Sequence, residues 1–316
     1  MRLVREGRLR VTEDGAYARG LRWLLAGVLC AALLVVAGAC GSPGANSSGG
    51  QKQKPSGNGS ASLNAVRVAY KTTASAKTAK VNLVEKVSGL QGRDVRITAT
   101  GVTDFADKTS RFTMNLPRMG DFEVRQVGGK VYEKFPKSLR ARMPGKKPWV
   151  VIDLDKMYRQ QYGISSFSGM QGAASDPTGQ LQYLRGASDS VKKVGEEKVR
   201  GVPAIHYKAT LDLKKSIKEQ GGNLKQAYKK LESQIGTSKL PVDVWLDGKG
   251  RIRRYEMEMP LPNMGGTTSP QSGSVGGRGS ISIVEEVYDF GTPVNVSPPP
   301  ASQTVDMSKL IPGKKT

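Results

Sequence analysis

Chemistry that needs an imidazole has one residue to draw on in this chain of 316, His206. It alternates with Lys208 and Thr210 in a strand-like stretch, which puts it on a polar, solvated face, and no Ser, Cys or Asp stands near it in a nucleophile motif. Ser190-Val191-Lys192-Lys193 has the Ser-x-x-Lys spacing of acyl-serine enzymes, but the companion Ser-Asp-Asn and Lys-Thr-Gly motifs are absent from the sequence. Gly276-Gly277-Arg278-Gly279 leads into no helical pattern, so it is neither a phosphate loop nor a dinucleotide fingerprint. Acidic residues are scattered and suggest no paired acid and base. One His and two Cys exclude a His-rich metal site, a Cys-built zinc module and a disulfide scaffold. The expectation is a non-enzymatic protein with no metal and no cofactor.

Cys40 is the residue with the most specific chemistry. Six Arg (2, 5, 8, 10, 19 and 22) precede an uncharged stretch from Trp23 to Cys40 that ends Ala37-Gly38-Ala39-Cys40-Gly41-Ser42. A basic start, an apolar run and a small-residue ending form an export signal. The ending resembles a bacterial lipobox, in which the Cys thiol takes a diacylglyceryl thioether before cleavage ahead of it. Ala37 stands where Leu is usual. An uncleaved anchor fits the same stretch, which just reaches spanning length, and so does plain secretion. All three readings place residues 41–316 outside the cytoplasm. With Cys30 removed and Cys40 acylated as the only mature cysteine, no disulfide forms and the domain is held by its own core. The expected location is the extracytoplasmic face of the cell membrane, anchored through Cys40.

These readings divide the chain into a signal peptide (1–39), the lipidated Cys with a flexible linker (40–62), one domain (63–297) and a polar tail (298–316). Residues 41–62 hold six Gly and six Ser with no apolar side chain larger than Ala or Pro, a tether with a mean reach of about 26 Å. The net charge of +22 comes from 49 Lys and Arg against 27 Asp and Glu. Outside the cytoplasm, with few aromatics and no nucleic-acid motif, anionic headgroups or wall polymers fit this charge better than nucleic acid does. A merely self-repelling, soluble surface fits it equally. A monomer is expected.

From Leu63 the pattern becomes regular. Leu63, Val66, Ala69 and Tyr70 mark an amphipathic helix to about Ser75. Alternation over Asp94–Ala99 and Arg111–Leu116 gives strands, and Asp121–Val127 turns through Gly128-Gly129 into Lys130–Phe135 as a hairpin. Trp149–Leu154 is a further apolar run. Tyr158–Thr178 is loose, and a short helix is expected over Thr178–Arg185. Ala204–Leu211 alternates, Asn223–Ile235 is helical, and Leu240–Met259 is the strongest hairpin signal in the chain. Residues 263–280 are Gly- and Ser-rich, and Ile281–Phe290 is the last strand. Helices interspersed with half-wet alternating strands predict an α+β domain, a large antiparallel sheet with helices on one face.

Three stretches resemble one family: Val191 to Val202 running into His206-Tyr207, then Leu240-Pro241-Val242-Asp243-Val244-Trp245-Leu246-Asp247, then Gly250-Arg251-Ile252-Arg253-Arg254. The chain is similar there to the LppX/LprAFG-type lipoproteins of high-GC Gram-positive bacteria. The resemblance implies a LolA-like fold, a half-barrel antiparallel sheet with helices packed on its concave face around an apolar cavity. It also implies binding, and transport, of an acylated lipid or glycolipid. A lipid with two chains of about 16 carbons loses on the order of 25 kcal/mol on leaving a bilayer, so a carrier must offer comparable apolar contact. The alternating strands nominate Val95, Ile97, Phe112, Met114, Leu116, Phe122, Val124, Tyr207, Leu211, Val244, Leu246, Tyr255, Met257 and Met259 as cavity lining. The same residues would equally fill an ordinary core. A cell-envelope protein-binding or sensory module without a lipid is the alternative function.

Overall fold

In the computed structural model the residues described are 57–90, 93–141, 143–153, 156, 184, 187, 191–212, 214, 236–260 and 279–307. The apolar stretch with Cys40, the segment 158–178, the expected helix over 223–235, that over 178–185 apart from Leu184, and residues 263–278 lie outside them.

Helix α1 (Gly57–Ala74) is followed by strands β1 (Thr78–Leu90), β2 (Arg93–Asp104), β3 (Thr109–Leu116), β4 (Gly120–Val127) and β5 (Lys130–Lys134). A four-residue helix α2 (Lys137–Arg140) and a 3-10 turn (Pro144–Lys146) lead to β6 (Trp149–Asp153). Then come β7 (Lys192–Val199), β8 (Val202–Asp212), β9 (Lys239–Asp247), β10 (Ile252–Pro260), β11 (Ser280–Tyr288) and β12 (Thr304–Asp306). The strands form one 12-stranded sheet in the order β12-β6-β5-β4-β3-β2-β1-β11-β10-β9-β8-β7. Two meanders, β1 to β6 and β7 to β11, are joined where β1 pairs antiparallel with β11, from Lys80 opposite Tyr288 to Ser88 opposite Ser280. Every pairing is antiparallel except that of β12 with β6.

The large antiparallel sheet expected from alternation is present. Of the expected helices only α1 lies among the described residues, and it packs on one face, here called inner. It starts at Gly57, six residues ahead of Leu63, inside the segment expected as linker. Val66 and Ala69 are fully buried in a cluster with Tyr207, Leu211, Val244, Leu246, Tyr255 and Met257 of β8 to β10. Thr73 at the end of the helix fixes its position. Its Oγ1 donates to Ala69 O (2.7 Å) and accepts from the Ile252 amide (2.8 Å), tying the last turn of α1 to the start of β10.

The polar-tail expectation for 298–316 is corrected over 301–307. A 3-10 turn at Ala301–Gln303 leads into β12, which adds parallel to Trp149–Val151, and Met307 is buried with its amide on Val151 O. Upstream, Arg125 donates to Ser297 O (3.0 Å), and Lys147 Nζ donates to Thr304 O (3.3 Å). Val305 and Met307 bury apolar surface here, and the ladder takes up backbone groups that β6 would otherwise leave open.

A turn and a strand crossing-point show why glycine and not another residue stands there. Gly128 and Gly129 both have positive φ (58° and 74°), the geometry of a two-residue hairpin turn that side chains strain. In β2, Gly101 lies opposite Phe112, and a Cβ there would run into the Arg111 carbonyl and the Phe112 backbone.

The β9–β10 hairpin is organised by one buried carboxylate. Asp247 accepts from the Lys249 and Arg251 amides (2.9 and 3.0 Å) and from Arg251 Nε (2.9 Å), while Gly250 takes φ 74°. Replacing it with Ala leaves two amides unsatisfied at a turn that also seats α1. Asp247→Ala is expected to lose about 1–3 kcal/mol in urea unfolding, and Asp247→Asn, which keeps an acceptor oxygen, to recover part of that loss.

Candidate functional site

Strand register places all fourteen nominated residues on the inner face. Ile97 opposes Glu85, which opposes Ile283, and Ile283 opposes Met257. Met114 lies opposite Ala99 and Phe122, and Val124 opposite Phe112. Tyr207 lies opposite Val244, which opposes Tyr255.

The face divides into two regions. Tyr207, Leu211, Val244, Leu246, Tyr255 and Met257 are buried in the cluster beneath α1, with Val95 and Met259 packed at its border. On the other meander, Phe112 forms a small separate cluster with Val81 and Ala99, flanked by Leu83 and Met114. Phe122 meets Phe135 edge-on at 5.4 Å. Ile97, Met114 and Val124 are only half-buried. Six of the nominated residues therefore pack as core under the helix, and the half-buried apolar surface lies mainly on β2 to β4.

Carboxyls also occupy this apolar face. Glu85 (5% exposed) sits between Ile97 and Ile283, Glu285 (0%) between Leu83 and Tyr255, and Glu133 (3%) between Val124 and Val150. Burial pushes the Glu85 and Glu133 carboxyls up to about 7. Periodicity could have found all three, because each stands at the apolar phase of its strand: Val81, Leu83, Glu85, Val87; Ile281, Ile283, Glu285, Val287; Val131, Glu133, Phe135. Strand β1 itself was not among the strands expected from alternation, and Glu85 went unseen with it.

The outer face is polar and paired. His206 lies there with Lys208, as its alternation predicts, but it is buried and not solvated, because Trp245 stacks on it at 4.1 Å and 13°. Its Nδ1 is 3.0 Å from Glu197 Oε1 and its Nε2 is 2.5 Å from Asp243 Oδ1. Trp245 Nε1 donates to Glu197 Oε2 (2.8 Å). Hydrogen bonds from Trp245 and then from His206 hold the Glu197 carboxyl below its ordinary range. Arg254 lies over Trp245, and Arg200 pairs with Glu286 (2.8 Å) while covering the Tyr288 ring. The contacts among Glu197, His206, Asp243 and Trp245 strap the edge strand β7 to β8 and β9, and His206 serves that strap. Among the described residues no group of His, Cys, Asp and Glu could hold a metal ion. Among them too, no helix is long and apolar enough to cross a membrane.

The buried carboxyls set a pH dependence of stability. With folded values near 7 against about 4.5 in the unfolded chain, the native state keeps protons that the unfolded state has released. Stability is therefore expected to fall as pH rises from about 4.5 to 7 and to level off above. The decline is about 1.4 kcal/mol per pH unit for each group, on the order of 3 kcal/mol apiece in total. Urea midpoints measured from pH 4.5 to 8 check this, and Glu85→Gln should remove about half of the slope.

No protein-family model matches the chain. A 31.2 kDa uncharacterised protein encoded between rplA and rplJ in Streptomyces griseus is 26% identical over 201 residues. The match takes in 61% of this chain and 53% of that protein, so the chain spans about half of its relative's length. Among solved structures, the lipoprotein LppX of Mycobacterium tuberculosis is similar over 75% of this chain and 99% of its own, with a TM-score of 0.44 and 16% identity. LprF of Mycobacterium bovis is similar over 76% and 97%, with a TM-score of 0.38 and 12% identity.

Proposed function

We propose that this chain is a lipid-anchored, extracytoplasmic protein that binds an acylated lipid or glycolipid on the inner face of its sheet and performs no covalent chemistry. One observation carries the reading: among the described residues, and apart from a few polar side chains such as Glu85, Glu133 and Glu285, the inner face is apolar from β6 across to β8 in sheet order, which is more than α1 covers. Twelve strands at about 4.8 Å spacing span about 50 Å. A helix is about 10 Å across, and the 18 residues of α1 make it about 27 Å long. In a LolA-like half-barrel the surplus face would be concave, further helices would close over it, and the enclosed space would take acyl chains. The lining falls to Val95, Ile97, Phe112, Met114, Leu116, Phe122 and Val124. The packed residues Tyr207, Leu211, Val244, Leu246, Tyr255 and Met257 form the wall under α1, with Met259 at its border. Methionines among them suit chains of variable shape.

In this reading residues 1–39 leave as a signal peptide, Cys40 carries the diacylglyceryl group, and the Gly/Ser segment tethers a monomeric domain (63–297) to the membrane. The cationic surface then faces anionic headgroups or wall polymers at short range.

Mass spectrometry of protein purified from its own membrane is expected to find a co-purifying acylated lipid. A lipid-free protein with a filled interior would instead favour a protein-binding module. Ala99→Trp, on the inner face of β2 beside Phe112, is expected to abolish lipid loading and to lower the melting temperature while leaving the protein folded. Outright unfolding would mean that the site is ordinary core. Cys40→Ala is expected to release the protein from membranes, measured by fractionation, and unchanged retention would point to a spanning anchor.

A further inference from the structure

Glu85 stands at the middle of the sheet, on the strand that joins the two meanders. Its cross-strand neighbours are Ile97 and Ile283, and Leu83 and Val87 flank it along the strand, so no side chain directly beside it on the inner face offers a donor. The polar side chain nearest in register is another carboxyl, Glu285, one diagonal step away on β11. Glu85 Oε1 is fully buried and has no hydrogen-bond partner among the described residues. A buried acceptor without a partner is destabilising, and a simple core would avoid it by placing an apolar residue there.

The charge distribution narrows what could satisfy it. The chain carries a net +22, yet among the described side chains no inner-face strand position of β1 to β6 is Lys or Arg, and the charged residues there are Glu85 and Glu133. On α1, Arg67 is already engaged, donating from Nη2 to Ala187 O at 2.9 Å. The described inner-face strand positions of β1 to β6 thus offer acceptors to a ligand and no cation with which to pair an anion.

Resting on the carrier reading above, we propose that Glu85 accepts a hydrogen bond from a hydroxyl of the bound lipid, so that the site selects neutral hydroxylated lipids and rejects phosphorylated ones. The acyl chains extend from this point along the apolar surface of β2 to β4, away from the region packed under α1.

The test is loading of the full-length protein with three probes of equal acyl length: dipalmitoylglycerol, dipalmitoyl phosphatidic acid, and cetyl palmitate, which lacks both hydroxyl and phosphate. Dipalmitoylglycerol is expected to bind at least tenfold more tightly than the phosphatidic acid. Glu85→Leu should lower dipalmitoylglycerol binding about tenfold and leave cetyl palmitate unchanged, and Glu85→Gln, which keeps an acceptor oxygen, should retain most of it. A melting curve checks that each variant is folded, and if the Leu variant is not, the Gln variant and the probe ranking decide. Equal binding of the two glycerolipids, or a folded Glu85→Leu variant that binds dipalmitoylglycerol normally, overturns the hydroxyl seat while the carrier reading stands. Failure of all three probes to bind overturns both.

Discussion

The pairing of β1 with β11 is the contact on which the rest of this molecule depends. Each meander alone is a run of hairpins with modest sequence separation. The β1–β11 ladder brings together residues some 200 positions apart and makes one surface of two. It also fixes the phase of every other strand. A slip of one residue between Val81 and Val287 would turn a whole meander over, burying Lys80 and Lys86 and exposing Val81 and Val87. Because α1 buries the β8–β11 side and Thr73 bonds the start of β10, the register set at the seam passes across the other meander as far as β6.

Sequence periodicity made most of this sheet legible. Alternation located β2 to β5 and β8 to β11 because one face of each is apolar and the other polar, a short apolar run located β6, and the Gly128-Gly129 and Asp247–Arg251 turns carry the residues their backbone geometry needs. The pattern lost β1 because Glu85 interrupts its apolar row while Val84 interrupts its polar one, so neither face looks clean. Strand β12 was hidden for another reason. Three residues after a Pro-rich run have no periodicity to show, and their pairing is dictated by the open edge of β6. The start of α1 at Gly57 was equally invisible, because Gly and Ser have low helix propensity.

Among the candidate site residues, the sequence placed all fourteen on one face but could not separate wall from packed core. That separation depends on where α1 lies, and a helix position is set by tertiary contacts such as the Thr73–Ile252 bond. The reading of His206 went astray by a similar route. Alternation gave its face correctly, but solvation was inferred from Lys208 and Thr210, and the covering Trp245 lies about 40 residues away in sequence.

The two faces treat carboxylates in opposite ways, and function follows from the contrast. Outside, Asp289 is bonded by Lys80, Glu286 by Arg200 and Glu123 by Arg125, so each of these carboxylates has a cationic partner. The Asp289 carboxyl is accordingly lowered, chiefly by the Lys80 hydrogen bond. Inside, Glu85 and Glu133 meet apolar walls and are raised by desolvation alone. A chain with so many cations to spare could have paired its interior acids, and a site for anionic headgroups would have required inward-facing Lys or Arg. The described side chains of β1 to β6 instead keep cations on the outer face and acceptors within. On the proposed reading, that arrangement is what would admit hydrocarbon and hydroxyl groups to the interior and leave phosphates at the exterior.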